Sequence, residues 1–227
     1  MRVIMIVDET GSMHSNKAVT ISAYNEFLDT QRESANEDEG KDEKVKFTLC
    51  KFNVNCRYLE AEDIKDAQAL NENNYQPSNC TALYDAIGDT LTQYEKETEN
   101  VCVIITDGQE NSSRKYNRDQ VFKMIKKFEE KKEWMFHYLG ANQDAFAVGA
   151  SMNMRSAQTF SADKSGFMGA YNDLEERVQN MRGYQGYKKK CRDMNEEVEL
   201  SFDNYRAKNM SAVRSKVEKS KASKKLF

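Results

Sequence analysis

The chain has 227 residues, of which 31% are charged, with a formal net charge of −3. Its mean hydropathy is −0.85, and no apolar run approaches the roughly 20 residues of a membrane span. Five cysteines without a Cys-x-x-Cys pair and only two histidines argue against a common zinc site and indicate reduced thiols. The N-terminal apolar run is too short for a signal peptide, so we expect a cytoplasmic protein without a membrane partner.

The first predicted strand, Val3–Val7, runs directly into a polar segment. Its five apolar residues, mostly β-branched, indicate a strand buried on both faces. Asp8, Thr10 and Ser12 then offer oxygen atoms at alternate positions, at the edge of an α/β sheet where ligands bind. Hard cations such as Mg²⁺ prefer this ligand set. The same residue types also form turns and helix N-caps, which is the alternative interpretation.

The rest of the chain predicts strands that alternate with helices. An exposed acidic loop is expected at 34–44 and a β-hairpin at 44–59. Further strands are predicted at 101–106, 134–139 and 156–160, and helices at 16–33, near 64–70, from about 81, at 118–131, before 149 and at 166–182. This order predicts an α/β fold with a doubly wound, mostly parallel central sheet and helices on both faces.

Three separated segments are predicted to meet at one edge of this sheet. Asp107 follows the apolar strand Val101–Thr106, and Thr81 lies at the start of the preceding helix. Because both apolar strands end in a carboxylate, we expect Val3–Val7 and Val101–Thr106 to be adjacent, central and parallel. Two carboxylates and three hydroxyls would then supply oxygen ligands for one octahedral ion.

These segments resemble the metal-ion-dependent adhesion site (MIDAS) of von Willebrand factor type A (VWA) domains. That site combines Asp-x-Ser-x-Ser, a distant Thr and a distant Asp, and here the first segment reads Asp8-Glu9-Thr10-Gly11-Ser12. The second, Asn79-Cys80-Thr81-Ala82-Leu83-Tyr84-Asp85-Ala86, is similar to Gly-Gly-Thr-x-Leu-x-Asp-Ala but lacks both glycines. The third, Thr106-Asp107-Gly108, matches the family's Thr-Asp-Gly.

The resemblance implies a Rossmann-like VWA domain over residues 1–182, followed by a C-terminal extension over 183–227. It implies no catalysis, and Mg²⁺ or Mn²⁺ bound by five side chains: Asp8, Thr10, Ser12, Thr81 and Asp107. The ion would be presented to an Asp or Glu of a partner protein, which His14 and Glu110 could also contact; exposed loop residues are the alternative for both. The segment 138–145 is also similar to VWA proteins of bacteria and their phages, which would place the chain in a host cytoplasm.

Other interpretations remain open at this stage. Thr81 alone suits a helix N-cap, and Asp85, Asn142 and Asp144 suit structural hydrogen bonds or caps. An Asp after the first strand with a later Thr-Asp-Gly also resembles Mg-dependent phosphoryl hydrolases of the haloacid-dehalogenase type, although Thr10 stands where those enzymes need a second Asp.

The C-terminal extension is strongly basic. Residues 203–227 hold eight Lys or Arg and two Asp or Glu, so nucleic-acid binding is a weaker alternative function. A mobile terminus explains the same charge. Cys191, Met194 and Val198 fit a helical stripe with Phe202 and Tyr205, whereas the segment 198–202 also alternates like a strand.

Overall fold

The computed structural model describes residues 1–37, 44–141, 144–154, 156–161, 163–202 and 204–208. Its strands are β1 Arg2–Asp8, β2 Lys46–Phe52, β3 Cys56–Ala61, β4 Val101–Thr106, β5 Met135–Ala141 and β6 Ala157–Phe160. They form one six-stranded sheet in the order β3-β2-β1-β4-β5-β6. The β2–β3 pair is antiparallel, which confirms the predicted hairpin, and the other neighbouring pairs are parallel.

The helices alternate with these strands as the sequence predicts. They are α1 Lys17–Glu37, α2 Leu83–Gln93, α3 Arg118–Lys132, α4 Ala145–Ser151 and α5 Lys164–Asp193, with short 3₁₀ turns at Gly11–Asn16 and Ile64–Asp66. The expected loop at 34–44 is wrong at its start, because α1 continues to Glu37. Charged and polar residues other than proline are compatible with a helix, so the acidic composition did not mark the helix end. Residues 38–43 lie outside the described residues.

The two fully apolar strands are neighbours at the centre of the sheet, as predicted. β1 and β4 pair in parallel, with Val3 opposite Val101 and Val7 opposite Ile105. Every residue of both strands is buried. The carboxyl ends of β1 and β4 therefore meet at the same edge, and the polar segments that follow them start side by side.

Helices cover both faces of the sheet. On one face, Ile4 and Ile104 belong to a buried cluster that also contains Ile87 of α2 and Ile125 of α3. On the other face, the ring of Phe47 in β2 lies 6.3 Å from that of Tyr24 in α1. This arrangement confirms the predicted α/β fold class.

The chain divides into two compact units, Met1–Glu175 and Glu176–Phe227. Within the second unit, the ring of Tyr184 lies 5.6 Å from that of Phe202 and 5.5 Å from that of Tyr205. The extension is helical as far as Asp193 and again at residues 202 and 204–208, as the helical interpretation expects for Phe202 and Tyr205, whereas residues 198–200 form no strand. The predicted domain limit after residue 182 stays a prediction, and the basic segment 209–227 lies outside the described residues.

The described residues contain neither a membrane-spanning helix nor a disulfide bond. None of their helices combines the length and the apolar character needed to cross a membrane. All five cysteines lie among them and are free.

Candidate metal centre

The segment after β1 folds back so that its oxygen atoms lie close together. The Asp8 side chain is wholly buried, and its Oδ1 accepts a hydrogen bond of 2.8 Å from the backbone N–H of Thr10. The hydroxyls of Thr10 and Ser12 are hydrogen-bonded to each other at 3.1 Å. The alternating pattern of the sequence therefore brings one carboxylate and two hydroxyls into a single turn.

Asp107 joins this turn from the end of β4. The Ser12 hydroxyl donates to Asp107 Oδ1 at 2.6 Å, and Asn16 Nδ2 donates to Asp107 Oδ2 at 2.7 Å. Thr106, one residue earlier, donates a short hydrogen bond to Asp8 Oδ2. Each segment thus donates a hydrogen bond to the aspartate of the other: Ser12 to Asp107, and Thr106 to Asp8. The two carboxylates are therefore held close to each other.

Thr81 contributes a third hydroxyl from the loop before α2. A Cβ atom built on Gly108 would lie 2.9 Å from Thr81 Oγ1, 3.3 Å from Ser12 Oγ and 3.4 Å from Asp8 Oδ2. Three oxygen atoms from two loops and one strand end therefore surround a small space that only a glycine at position 108 leaves open.

Thr81 is not the helix N-cap that its sequence context allowed. The N-cap of α2 is Ala82, which makes no side-chain cap hydrogen bond. Instead, the backbone N–H of Thr81 donates to Asn111 Oδ1 at 2.9 Å, and its carbonyl accepts from the Asn111 N–H at 3.0 Å. This pair of bonds fixes the backbone of Thr81 and leaves its hydroxyl beside Gly108.

The loop before Thr81 has Asn79 and Cys80 in place of the two glycines of the VWA pattern. Asn79 adopts a left-handed conformation with φ 68°, and its carbonyl accepts a hydrogen bond of 3.0 Å from the Gly11 N–H. Asparagine enters this region at lower cost than most other residues that carry a side chain. Asn79 therefore supplies the turn that brings the loop against the first segment.

The site brings two carboxylates close enough for one to affect the titration of the other. Burial, with a smaller contribution from the charge of Asp107, raises the pKa of Asp8 to about 6, although hydrogen bonds from Thr106 and Thr10 act in the opposite direction. No ion pair to either aspartate occurs among the described residues. The adjacent buried acid Glu9 differs, because it forms ion pairs with Lys51 at 3.5 Å and with Arg57.

The donor atoms of this site fit a hard divalent cation. The described part of the chain has no group of three or more His, Cys, Asp or Glu residues that could hold a metal ion. The five predicted side chains instead combine two carboxylates with three hydroxyls, and all of their donors are oxygen. Oxygen ligands suit Mg²⁺, Mn²⁺ or Ca²⁺ better than metals that prefer nitrogen or sulfur.

The two candidates for partner contact have different surroundings. His14 is exposed in the 3₁₀ turn. Glu110 accepts four hydrogen bonds: from the N–H groups of Ser112 and Ser113 at 2.9 and 2.7 Å, the Ser113 hydroxyl at 2.7 Å and the Tyr84 N–H at 3.0 Å. Glu110 therefore holds its own loop against the start of α2, and contact of either residue with a partner stays a prediction.

Two of the predicted structural acids do have that role. Asp85 accepts hydrogen bonds from the backbone N–H groups of residues 114, 115 and 116 at 2.8, 2.9 and 2.9 Å. Asp144 caps α4 by accepting from the Ala147 N–H at 3.0 Å. Asn142, for which a similar role is predicted, lies outside the described residues.

Several residues that support the site were not identified from the sequence. Thr106 and Asn16 bond to the aspartates as described, Asn111 fixes Thr81, and the Tyr75 hydroxyl donates to the Asp8 carbonyl at 2.5 Å. Glu9 also accepts from the Gln76 N–H at 2.6 Å. Thr106 could have been suspected from its place beside Asp107, but the others act across long stretches of chain and leave no local signal.

Comparison with known proteins identifies the fold. No protein-family model and no curated protein matches the chain. Among solved structures, proximal thread matrix protein 1 (PTMP1) from the mussel byssus has a TM-score of 0.55 at 14% identity, over 77% of this chain and 44% of that chain. The von Willebrand factor type A structure from Catenulispora acidiphila has a TM-score of 0.53 at 10% identity, over 77% and 41%.

A third match covers most of both chains. The vWF domain of the pilus tip protein Mfa5 from Porphyromonas gingivalis has a TM-score of 0.53 at 10% identity, over 78% of this chain and 94% of that domain. By contrast, this chain spans less than half the length of the PTMP1 and Catenulispora chains. At such identities the similarity shows the fold, and the six-stranded sheet with these neighbours assigns the chain to the VWA fold.

Proposed function

We propose that this chain is a non-catalytic protein-binding module that presents a divalent cation to an acidic residue of a partner protein. Five side chains would hold the ion: Asp8, Thr10, Ser12, Thr81 and Asp107. The observation that carries the proposal is a pair of carboxylates, one wholly buried, beside an oxygen-lined space and with no ion pair to any residue that the structure describes. A buried charge needs a partner, and a bound cation would supply it.

The choice of Mg²⁺ or Mn²⁺ follows from the donor atoms. Both are hard cations that accept hydroxyl and carboxylate oxygens. A VWA-fold neighbour is described with a zinc-occupied MIDAS motif, at a TM-score of 0.52 and 12% identity over 77% of this chain and 47% of that chain. That neighbour supports a divalent ion at this place in the fold, and the absence of sulfur and imidazole donors in the present set favours the harder ions.

The composition of the ligand set explains why a partner would be recognised. Three of the five ligands are neutral hydroxyls, so the ion keeps more of its positive charge than it would in an all-carboxylate site. Mg²⁺ prefers six oxygen ligands, which leaves room for one from outside. A carboxylate is the side chain that best satisfies both needs.

The two alternative functions receive no support from the described residues. At the position where a haloacid-dehalogenase-like hydrolase needs its second acid, the Thr10 hydroxyl is hydrogen-bonded to Ser12. Nucleic-acid binding rests on the basic segment 209–227, which lies outside the described residues. The proposal includes a cytoplasmic location, in a host cell if the chain is phage-encoded, and the free cysteines are compatible with it.

Affinity capture tests this proposal. Tagged protein is incubated with extract of the native cell in Mg²⁺ or in EDTA, and Asp107→Asn is compared with Asp119→Asn, which removes a charge from an exposed position of α3. We expect a partner that is retained in Mg²⁺ by the wild type and by the Asp119 variant. A purified partner that binds equally well in EDTA, or to the Asp107 variant, contradicts the proposal.

A further inference from the structure

Two exposed apolar side chains lie at the same sheet edge as the candidate metal centre. Val54 is 45% exposed and Phe146 is 64% exposed. They are two of the four large apolar residues that are exposed in the described part of the chain, the others being Met194 and Val198. An exposed apolar residue is ordinary by itself, so the position of this pair carries the argument.

The sheet topology places the pair on opposite sides of the centre. Val54 follows the carboxyl end of β2, and Phe146 lies in α4, which follows the carboxyl end of β5. The N–H of Ala145, next to Phe146, donates to Thr159 Oγ1 of β6 at 3.1 Å, which holds the start of α4 at that edge. Since β2, β1, β4 and β5 are neighbouring parallel strands, the order along the edge is Val54, Asp8, Asp107, Phe146.

Strand spacing gives the scale of this surface. Neighbouring strands lie about 4.8 Å apart, so β2 and β5 are separated by about 14 Å, and the centre between β1 and β4 is about 7 Å from each. In an extended peptide, residues two apart lie on the same side and are separated by about 6.7 Å. The strand spacing on either side of the metal centre therefore matches the separation of two residues in an extended chain.

Val54 lines a groove that lies next to Thr81. The groove has a volume of about 490 Å³. Its lining is mixed: Val54, Cys56, Tyr58 and Ala82 offer apolar surface, and the other lining residues are polar or charged. Ala82 directly follows Thr81, so the groove begins beside the metal centre on the Val54 side. The apolar part of this groove, formed by Val54 and Ala82 among others, is where an apolar side chain of a partner would pack.

We infer that the module recognises an extended partner segment of the pattern apolar-x-acid-x-apolar. This inference rests on the proposed function, because the central acid binds the ion. One flanking apolar side chain contacts Val54 at the mouth of the groove, and the other contacts Phe146. The pattern is symmetric, so either chain direction satisfies it.

Labelled peptides of matched composition test the register. The probes are acetylated peptides that contain Leu-Ser-Asp-Ser-Leu, its shifted form Ser-Leu-Asp-Leu-Ser, or Leu-Ser-Asn-Ser-Leu, and binding is measured by fluorescence anisotropy in Mg²⁺ and in EDTA. We expect the first peptide to bind at least about tenfold more tightly than the shifted form. Val54→Ser and Phe146→Ser should each weaken its binding by about fivefold. Asp119→Asn, at an exposed position of α3, should have no effect.

The outcomes separate this inference from the proposed function. Equal binding of the first and shifted peptides, or unchanged binding by the Val54 and Phe146 variants, overturns the inference. If EDTA still abolishes binding of the first peptide, and the Asn peptide does not bind, the proposed metal bridge stands. Binding that is insensitive to EDTA and to the Asn replacement overturns both. No binding of any peptide at about 1 mM in Mg²⁺, by protein shown to hold the ion, also contradicts an extended segment as the partner.

Discussion

Replacing Asp8 with asparagine should stabilise the metal-free protein at neutral pH. The variant keeps the Oδ1 acceptor for the Thr10 N–H. Its amide can donate to the Thr106 hydroxyl, which is then free to donate to the Gly108 carbonyl at its present distance of 3.2 Å. The substitution therefore removes a buried negative charge without leaving a buried polar atom unpaired.

The expected gain follows from the pKa of Asp8. Its value of about 6 lies above the ordinary value of 3.8. At about 1.36 kcal/mol per pKa unit, this difference corresponds to roughly 3 kcal/mol as an upper value. Because the folded state holds the proton more tightly, the wild type loses this stability as the pH rises from 3.8 to 6, and the loss is constant above 6.

Urea unfolding in EDTA at a series of pH values measures this effect. The free energy of unfolding of Asp8→Asn should exceed that of the wild type by up to about 3 kcal/mol at pH 7.5, and the difference should shrink as the pH falls towards 4. Mg²⁺ at a hundred times its dissociation constant should return about 2.7 kcal/mol to the wild type alone. A variant that is less stable than the wild type at pH 7.5, or a difference that does not change with pH, refutes the reasoning.

Three further substitutions or truncations have distinct expected results. Gly108→Ala places a methyl group in the space beside Thr81, so Mg²⁺ affinity in a calorimetric titration should fall at least about tenfold; unchanged affinity would mean that the ion lies elsewhere. Glu9→Gln breaks a buried ion pair with Lys51 and should lower the free energy of unfolding by about 3 kcal/mol; a loss below about 1 kcal/mol contradicts this assignment. Deletion from Met210 onward should leave the melting temperature within about 2 °C, and a larger drop would show that this segment packs on the rest. Loss of salt-sensitive nucleic-acid binding on that deletion would favour the alternative function.

The fold could be predicted where the sequence is unambiguous. β1 and β4 are continuous apolar runs, and such runs are typical of central parallel strands, so their adjacency followed. The end of α5 was not predictable in this way. The sequence predicts a helix over 166–182, whereas α5 continues to Asp193. Gly183 lies within it, and a Cβ there would lie 2.7 Å from the Tyr205 hydroxyl. That glycine allows a close approach, which only the folded chain reveals.

Some residues of the site could likewise be identified from the sequence, and others could not. Asp8, Thr10 and Ser12 could be proposed together because they alternate within one short segment. Asn16 and Asn111 could not, because their bonds to Asp107 and Thr81 join residues 91 and 30 positions apart. Long-range hydrogen bonds of this kind depend on loop conformation, for which the sequence offers no periodic signal.

The most direct test of the central claim is a calorimetric titration with Mg²⁺ and Mn²⁺ at pH 7.5, where Asp8 is ionised. The wild type and Asp119→Asn should bind one ion, whereas Asp8→Ala and Asp107→Ala should bind none. All four proteins should remain folded, because neither aspartate belongs to the apolar core. If the wild type takes up no ion even with its partner present, or if both alanine variants bind as the wild type does, the proposed metal centre is wrong.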